Sequence, residues 1–283
     1  MKTGLAIEGG AVRAIFACGA FDALLSLDII ADHVVGVSAG IGDGVSYCSR
    51  QPGRNLEILE KYVNDPRYMS SDNMINPLNN CYFGLDFVYN QIPNRLVPFD
   101  YETFYAYPGQ VEAVCTNLNT GRADYLDEKQ DPVGFPIMIA SCSMPMLFPI
   151  AFWDGQPYLD GGVADPIPYQ RLLDCGCDRS IVILTRERSY VKKPEKAMLL
   201  AEQKYRDYPE FVKALKRREK VYNAERDEVF RLEKEGRILV ICPYSTEGFS
   251  RTERNLEKIR AMYQSGYDQV LARKDEILAY LNS

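Results

Sequence analysis

The stretch Val34-Val35-Gly36-Val37-Ser38-Ala39-Gly40 is the part of the sequence that decides the fold. An apolar run ends in a Gly-x-Ser-x-Gly pentapeptide, and Ile41 to Cys48 has enough apolar residues to continue as a helix. We therefore expect a strand, a sharp turn and a helix, with Ser38 in strained backbone geometry at the turn. Gly36 and Gly40 suit such a turn because they lack a Cβ atom where neighbouring segments pack closely. The helix start concentrates unpaired N–H groups and positive potential behind the serine hydroxyl.

The composition is that of an ordinary globular protein. The chain has 283 residues, 46% of them apolar and 25% charged, with a net charge of -6. This length supports a sizeable core, and the mild charge argues against nucleic acid as the main partner. The sequence contains no apolar window of ~20 residues, so we expect no membrane-spanning helix. Residues 2–9 are too short an apolar stretch for a signal peptide, so we expect a cytoplasmic location.

The eight cysteines predict buried free thiols in a reducing compartment. Most of them lie inside apolar runs, and Cys175-Gly176-Cys177 has the wrong spacing for a CxxC motif. No second cysteine pair completes a zinc site. We therefore expect neither a metal nor a cofactor.

The only histidine, His33, limits the chemistry available to Ser38. It lies at the start of the strand that carries the serine, and at ~3.3 Å per residue it is about 16 Å away. An imidazole at that distance does not reach the hydroxyl. Either Ser38 is not a nucleophile, or its general base is another side chain.

Residues 2–40 predict a βαβ unit of a parallel sheet. Lys2 to Ile7 is apolar, Glu8 to Arg13 is a turn of mostly small residues, and apolar residues recur at helical spacing from Ala14 to Leu27. The turn and Ser38 then lie at the carboxyl ends of neighbouring strands, where parallel sheets bind their ligands.

Two interpretations of the Gly9-Gly10 turn compete. A nucleotide-binding turn needs G-x-G-x-x-G, and Ala14 stands where a late glycine is required. Alternatively, the backbone N–H groups of the turn form an oxyanion hole for the serine on the adjacent strand. We favour the oxyanion hole because only it also explains Ser38. Arg13 is compatible with a surface charge, a brace for the loop or a group that attracts an anionic head group.

Asp160 is the second catalytic candidate. It precedes Gly161 and Gly162, which allow the backbone to approach another segment closely. Asp-Gly-Gly is common in turns, but the absence of a usable histidine favours a catalytic role. A carboxylate that contacts a serine hydroxyl can take its proton, provided that burial raises the low pKa of the acid or the oxyanion donors lower the barrier. Ser38 and Asp160 would then form a Ser–Asp dyad.

Three motifs now resemble those of the patatin-like phospholipases, and the likeness is nearest to bacterial members of this length. That family has a Gly-Gly-Gly-x-Arg-Gly oxyanion loop, a Gly-x-Ser-x-Gly elbow and a late Asp-Gly-Gly or Asp-Gly-Ala turn. Their counterparts here are Gly9-Gly10-Ala11-Val12-Arg13-Ala14, residues 36–40 and residues 160–162, in the same order. The resemblance covers residues 1 to about 185. It implies a three-layer α/β/α fold with a mostly parallel central sheet, and oxyanion donors at Gly9, Gly10 and Ala11.

The sequence departs from the family pattern at two loop positions. Ala11 replaces the third glycine, and Ala14 replaces the last one. Ala11 keeps its N–H group, but its methyl group restricts φ. In addition, Gly42-Asp43-Gly44 is a poor helix sequence, which favours a loosened start of the helix after Ser38.

The rest of the chain predicts further α/β structure without a linker. Residues 65–109 form a long, aromatic and partly irregular insertion, of the kind that builds lids and binding walls. Its apolar residues are equally consistent with core and with an acyl channel: Phe83, Leu85, Phe87, Val88 and Tyr89. Further strands are expected at 111–118, 122–126, 180–185 and 237–243, and further helices at 54–64, 209–235 and 252–281. We expect one domain over residues 1–283, with the motifs in 1–185 and a C-terminal extension, 186–283, on the same core.

A basic run lies in the predicted helix 209–235: Lys213, Lys216, Arg217, Arg218 and Lys220. Because glutamates are interleaved, a solvated helix face is favoured over contact with anionic lipid. A transient membrane-surface contact stays open.

The sequence therefore predicts a serine lipid acyl hydrolase that acts through an acyl-serine intermediate. The expected partner is a lipid or other acyl ester. One alternative is a lipid-binding protein without catalytic activity, and another is an acyl-thioesterase or peptidase with the same dyad. The oligomeric state is not predicted.

Overall fold

A computed structural model describes residues 1–194 and 198–283. The strands of its central sheet are β1 (Thr3–Ile7), β2 (His33–Val37), β3 (Gln110–Asn117), β4 (Ala123–Asp127), β5 (Ala151–Trp153), β6 (Gln156–Asp160), β7 (Arg179–Ile183) and β8 (Leu239–Ile241). The helices are α1 (Ile15–Ser26), α2 (Ala39–Cys48), α3 (Arg54–Tyr62), α4 (Ser71–Ile75), α5 (Tyr101–Tyr105), α6 (Pro136–Cys142), α7 (Tyr169–Asp174), α8 (Met198–Lys204), α9 (Pro209–Lys234), α10 (Leu256–Ala272) and α11 (Lys274–Leu281). A π-helical segment covers Phe87–Leu96.

The sheet is mostly parallel, as predicted. Strand β1 lies between β2 and β7, and β8 extends the sheet beyond β7, with all of these pairs parallel. Strand β3 pairs with β2 in parallel, while β4 and β6 pair with β3 in antiparallel orientation. Strand β5 pairs with β6 and completes an antiparallel end of the sheet.

Strand β3 carries two partners along one of its edges. Residues 112–116 pair with β4 along the opposite edge. Strand β2 pairs with residues 110–114, and β6 pairs with 115–117. Since β2 runs parallel to β3 and β6 runs antiparallel, the carboxyl ends of β2 and β6 meet head-on beside the middle of β3.

Apolar residues alternate along the parallel strands and bury both faces of the sheet. Leu5 and Ile7 pack with α1 and α2 on one face, whereas Ala6 points to the opposite face. Val182 packs there with Tyr222 of α9. Two hydrophobic cores on opposite faces of one sheet make a three-layer α/β/α fold, which confirms the predicted class.

Helix α10 packs backbone to backbone against α1. A Cβ atom on Gly19 would lie 1.9 Å from the carbonyl oxygen of Tyr263, and one on Gly266 would lie 2.0 Å from that of Phe16. Glycine at both positions lets the two helices approach this closely. The C-terminal part of the chain therefore contacts the first helix directly.

Helix α2 differs from the prediction because it is regular from Ala39 onward. The expected loosened start is wrong. A Cβ atom on Gly44 would lie 2.9 Å from Cδ1 of Ile7, so α2 packs closely on β1 at this position. Tertiary packing thus outweighs the low helix propensity of glycine. The insertion at 65–109 is partly irregular as predicted, with short helical pieces between bends.

Candidate active site

Ser38 occupies the sharp turn between β2 and α2. Its φ is 54° and its ψ is -132°, a strained conformation for a residue with a Cβ atom. A Cβ atom on Gly36 would lie 2.7 Å from the backbone nitrogen of Ile41, and one on Gly40 would lie 2.7 Å from the carbonyl oxygen of Ile7. Close packing at this turn therefore requires glycine at both positions.

Ser141, at the end of α6, links this turn to the sheet. The backbone N–H of Ser38 donates to Oγ of Ser141 over 2.9 Å, and that hydroxyl donates to the carbonyl oxygen of Val114 over 2.8 Å. Ser141 is fully buried, so both bonds are shielded from water. This relay holds the Ser38 backbone against the middle of β3.

Asp160 is the last residue of β6 and is only 3% exposed. Its Oδ1 accepts a hydrogen bond of 2.8 Å from the backbone N–H of Gly162. A Cβ atom on Gly161 would lie 2.1 Å from the carbonyl oxygen of Val114, so the turn after Asp160 packs directly on β3. The head-on arrangement of β2 and β6 brings Asp160 next to Ser38, whose hydroxyl lowers the pKa of the Asp160 carboxyl.

Burial raises the pKa of Asp160 above its ordinary value of 3.8. The positive charge of Arg218, the Ser38 hydroxyl, the Gly162 N–H and the charge of Lys192 lower the pKa and offset only part of this effect. The shift has the direction that the sequence argument required of a general base.

The Gly9-Gly10-Ala11 loop lies beside the serine. A Cβ atom on Gly9 would lie 2.9 Å from Cβ of Ser38. Among the hydrogen bonds of residues 1–194 and 198–283, none has the backbone N–H of Gly9, Gly10 or Ala11 as its donor. Unpaired N–H groups next to a serine hydroxyl can stabilise negative charge on a bound acyl oxygen.

The two alanines of this loop have different backbone conformations. Ala11 has a φ of 49°, in the left-handed region that favours glycine. Ala14 has a φ of -62° and is fully buried, so its position does not require glycine. The departure from the family pattern therefore introduces backbone strain at Ala11 alone.

Glu8 braces the loop from the sheet. Its Oε2 accepts a hydrogen bond of 2.6 Å from the backbone N–H of Thr185, and its Oε1 accepts one of 2.5 Å from the Tyr222 hydroxyl. Thr185 Oγ1 also donates to the carbonyl oxygen of Gly9 over 2.9 Å. Further along the loop, the backbone N–H of Val12 donates to the carbonyl oxygen of Arg251 over 3.1 Å. Residues beyond position 184 thus hold the loop in place.

Arg13 is half-buried beside this loop, and its Nε atom is buried without a hydrogen-bond partner. Burial and the neighbouring charge of Arg186 lower the pKa of its guanidinium to about 10, although Glu8 acts in the opposite direction. The side chain therefore lies among other cations.

Two cavities meet at Ser38. One is lined mainly by apolar side chains from α1–α3, the 65–109 insertion and α6, and it includes Phe83, Val88 and Tyr89. Phe87 instead packs in a small core with Ile92 and Val97. The insertion thus supplies both cavity wall and ordinary core. The second cavity is polar and contains Asp160, Gly9–Ala11 and several cations.

His33 starts the strand that leads to Ser38, but its side chain contacts other residues. It is fully buried, and its Nε2 lies 2.9 Å from Oε2 of Glu112. Arg171 forms an ion pair of 2.6 Å with the same carboxylate. Although burial opposes it, hydrogen bonds from Arg171 and His33 lower the pKa of Glu112 to about 2. His33 belongs to a structural ion-pair network.

The sequence analysis missed several residues that support the site: Glu8, Ser141, Thr185, Arg218, Tyr222 and Arg251. Arg218 was assigned to a solvated helix face, but its Nε donates to the carbonyl oxygen of Gly162 over 2.8 Å. Only Glu8 had a local signal, a carboxylate between an apolar strand and two glycines. The others are brought to the site by tertiary packing.

The described part of the chain contains no group of three or more His, Cys, Asp or Glu side chains arranged to hold a metal ion. All eight cysteines are free, and six of them are buried. Over residues 1–194 and 198–283, no helix has the length and apolar character needed to cross a bilayer.

The three-layer α/β/α fold and the serine elbow define the class of an α/β acyl hydrolase. A model of the patatin-like phospholipases matches residues 5–173, and the chain belongs to this family of lipid ester hydrolases. A second model, for a domain of unknown function (DUF6363), matches residues 208–282. The chain is also similar to the crystal structure of VipD from Legionella pneumophila, with a TM-score of 0.47 and 13% identity. That match covers 97% of this chain and 67% of VipD.

Proposed function

We propose that the protein is a serine lipid acyl hydrolase in which Ser38 is the nucleophile and Asp160 the general base. The observation that carries this proposal is the head-on meeting of β2 and β6 on one edge of β3. It brings a strained serine and a buried carboxylate of raised pKa together at the same point of the sheet.

The reaction proceeds in two acyl-transfer steps. As Oγ of Ser38 attacks the ester carbonyl carbon, Asp160 takes the hydroxyl proton, and the N–H groups of Gly9, Gly10 and Ala11 bind the oxyanion. The ester C–O bond then breaks, the leaving alcohol takes the proton from Asp160, and an acyl-serine remains. Water attacks this acyl group with Asp160 again as the base, which releases the fatty acid and restores Ser38.

The apolar cavity beside Ser38 supports a fatty acyl ester as the substrate. It starts at the nucleophile and is lined by Ile15, Leu59, Phe83, Tyr89 and Phe148, among others. Binding in such a cavity stabilises an acyl chain in proportion to the apolar surface that it buries. The proposed dyad needs no cofactor. The free thiols are consistent with a cytoplasmic setting, and contact with a membrane surface would be transient.

We also propose that residues 1–283 form one domain in which the C-terminal extension, 186–283, completes the active site. Tyr222 and Arg218 of α9 bind Glu8 and the Gly162 carbonyl, and the carbonyl of Arg251 binds Val12. Strand β8 extends the same sheet. A chain that ends at residue 185 should therefore lose activity and expose apolar surface, which dye binding and circular dichroism would measure.

A fluorophosphonate probe tests the proposed nucleophile, because only an activated serine reacts with it. Wild-type protein should be labelled on Ser38, as peptide mass spectrometry would show, and should hydrolyse a p-nitrophenyl acyl ester. Ser38→Ala should lose labelling and activity with an unchanged circular dichroism spectrum, whereas Ser26→Ala on the exposed end of α1 should keep both. Binding of fatty acid without labelling would instead favour a non-catalytic lipid binder. Faster turnover of an acyl-CoA or a peptide than of a phospholipid would favour the thioesterase or peptidase alternative.

A further inference from the structure

The polar cavity on the second side of Ser38 is strongly cationic. It has a volume of about 370 Å³, and its lining includes Arg13, Arg186, Lys192, Arg218 and Arg251. Among residues 1–194 and 198–283, the carboxylates in the same lining are Glu8 and Asp160. Both already accept hydrogen bonds from protein groups, Glu8 from Thr185 and Tyr222 and Asp160 from Gly162. The charges of Arg13, Arg186 and Arg251 therefore make this cavity suited to an anion.

Several of these cations lie close enough to repel one another. The charges of Arg186 and Arg251 both lower the pKa of the Arg13 guanidinium, next to the larger effect of burial. Within residues 1–194 and 198–283, the Nε atom of Arg13 has no hydrogen-bond partner. Clustered like charges and a buried unpaired donor both cost free energy, and a bound anion would offset these costs.

Two aromatic rings of the cavity already lie beside cations. The guanidinium carbon of Arg186 lies 4.2 Å from the ring centre of Tyr190, and Nζ of Lys192 lies 5.2 Å from that of Tyr222. A quaternary ammonium group binds proteins through such ring faces. At these two rings it would compete with Arg186 and Lys192 and would be repelled by their charges.

The cavity lies where the leaving group of an ester substrate would extend from Ser38. Ala11, Ser38 and Met144 line both this cavity and the apolar one. An ester whose acyl chain lies in the apolar cavity and whose carbonyl carbon lies at Ser38 extends its alcohol portion into the cationic cavity.

We propose that the cationic cavity binds a phosphate-bearing leaving group with at least two negative charges, in preference to a neutral or zwitterionic one. Arg13, Arg186 and Arg251 determine this specificity. The inference rests on the proposed function of Ser38 and specifies its substrate class. A lysophosphatidate-type lipid and an acyl-CoA share this chemistry, so the experiment separates the two.

The experiment compares kcat/KM for anionic substrates with that for neutral ones of the same acyl chain. Lysophosphatidate is paired with monoacylglycerol, and acyl-CoA with the acyl thioester of N-acetylcysteamine. Lysophosphatidylcholine is the zwitterionic member of the series. Wild-type protein should favour at least one anionic substrate over its neutral counterpart by about tenfold or more, the effect of one charge-assisted contact. Preference within the lipid pair assigns the phosphate to a lipid, and preference within the thioester pair alone assigns it to coenzyme A.

Variants of Arg251 test the residues. Its side chain is exposed, and its backbone bond to Val12 does not depend on the side chain. Arg251→Gln should lower the anionic-to-neutral ratio about tenfold, and Arg251→Glu should lower it further. Arg217→Gln is the matched control, because Arg217 is an exposed cation of α9 outside the cavity lining. It should leave the ratio unchanged.

A binding measurement separates failure of this inference from failure of the proposed nucleophile. Isothermal titration calorimetry of Ser38→Ala protein with lysophosphatidate and with lysophosphatidylcholine measures binding without turnover. Tighter binding of lysophosphatidate supports the anion cavity even if no ester is hydrolysed. Wild-type rate ratios near one in both substrate pairs, together with equal binding of the two lipids, would overturn the inference while leaving labelled Ser38 as a nucleophile.

Discussion

Ser38 directly follows β2 and Asp160 ends β6, and these two strands meet head-on along one edge of β3. Val37 pairs with Val114, and Asp160 pairs with the next residue, Cys115. In a parallel sheet, a catalytic partner usually comes from a loop after another parallel strand. Here an antiparallel strand takes the place of β2 beyond Val37 and delivers the carboxylate from the opposite direction. Ser38 and Asp160 are 122 positions apart in the sequence. Pairing of β2 and β6 with the same strand brings them together.

Asp160→Asn should lower kcat/KM for an acyl ester by about a thousandfold, since it removes the proposed general base. In wild-type protein, kcat/KM should rise with pH as Asp160 loses its proton, with a midpoint above the ordinary 3.8. Initial rates between pH 4 and 9 would measure this limb. If Asp160→Asn kept most of the wild-type activity, Asp160 would not be the general base.

The same variant should be more stable than wild type at pH 7. Because the pKa of Asp160 is raised in the folded state, its proton stabilises the fold at low pH, and this contribution is lost as the pH rises through the folded pKa. The asparagine Oδ1 can still accept the bond from Gly162. Thermal denaturation at pH 5 and pH 7 should show a gain for the variant that is larger at pH 7.

Ala11→Gly should leave the protein as stable or slightly more stable. Glycine relieves the left-handed φ of 49° at this position, worth about 1 kcal/mol, while its greater freedom in the unfolded chain costs a similar amount. Ala11→Val should destabilise clearly, because a β-branched residue tolerates positive φ poorly. Denaturant melts of the two variants would measure this, and equal stabilities would argue against strain at Ala11.

Tyr222→Phe should lower kcat through the oxyanion loop and destabilise the fold by about 1–3 kcal/mol. The substitution removes the 2.5 Å hydrogen bond to Glu8 and leaves that buried carboxylate with one donor fewer. For a neutral ester, kcat should fall more than KM changes, since Glu8 supports the proposed oxyanion donors and is not among the side chains that line the apolar cavity. Tyr244→Phe is the control, because Tyr244 is 83% exposed. If both variants behave like wild type, the brace does not position the loop.

His33→Gln should keep kcat within about twofold, because His33 takes no part in the reaction. The fold should lose about 1–3 kcal/mol, since Glu112 loses a buried partner. The stability that Glu112 contributes, through its pKa lowered to about 2, is present above 4.5 and is lost as the pH falls below that value. Urea melts at pH 7 and pH 3 should therefore differ more for wild type than for the variant. A large loss of kcat in folded His33→Gln would contradict the structural role.

By itself, the sequence determined the βαβ start, the serine elbow and the glycine loop. These follow from local rules: apolar periodicity, the need for glycine in tight turns, and the short reach of His33 along one strand. The three-layer class was implied by the resemblance of the three motifs to those of the patatin-like phospholipases. The absence of a usable histidine directed attention to Asp160, although the contact with Ser38 could not be derived from spacing.

Only the tertiary structure decided which distant groups surround these motifs. The sharing of one β3 edge by β2 and β6, the relay through Ser141 and the contacts of Arg218, Tyr222 and Arg251 join residues far apart in the chain. None of them leaves a local pattern, because each depends on how a helix or loop packs on the finished sheet. For the same physical reason Gly40, poor for an isolated helix, is required where α2 packs against the backbone of β1.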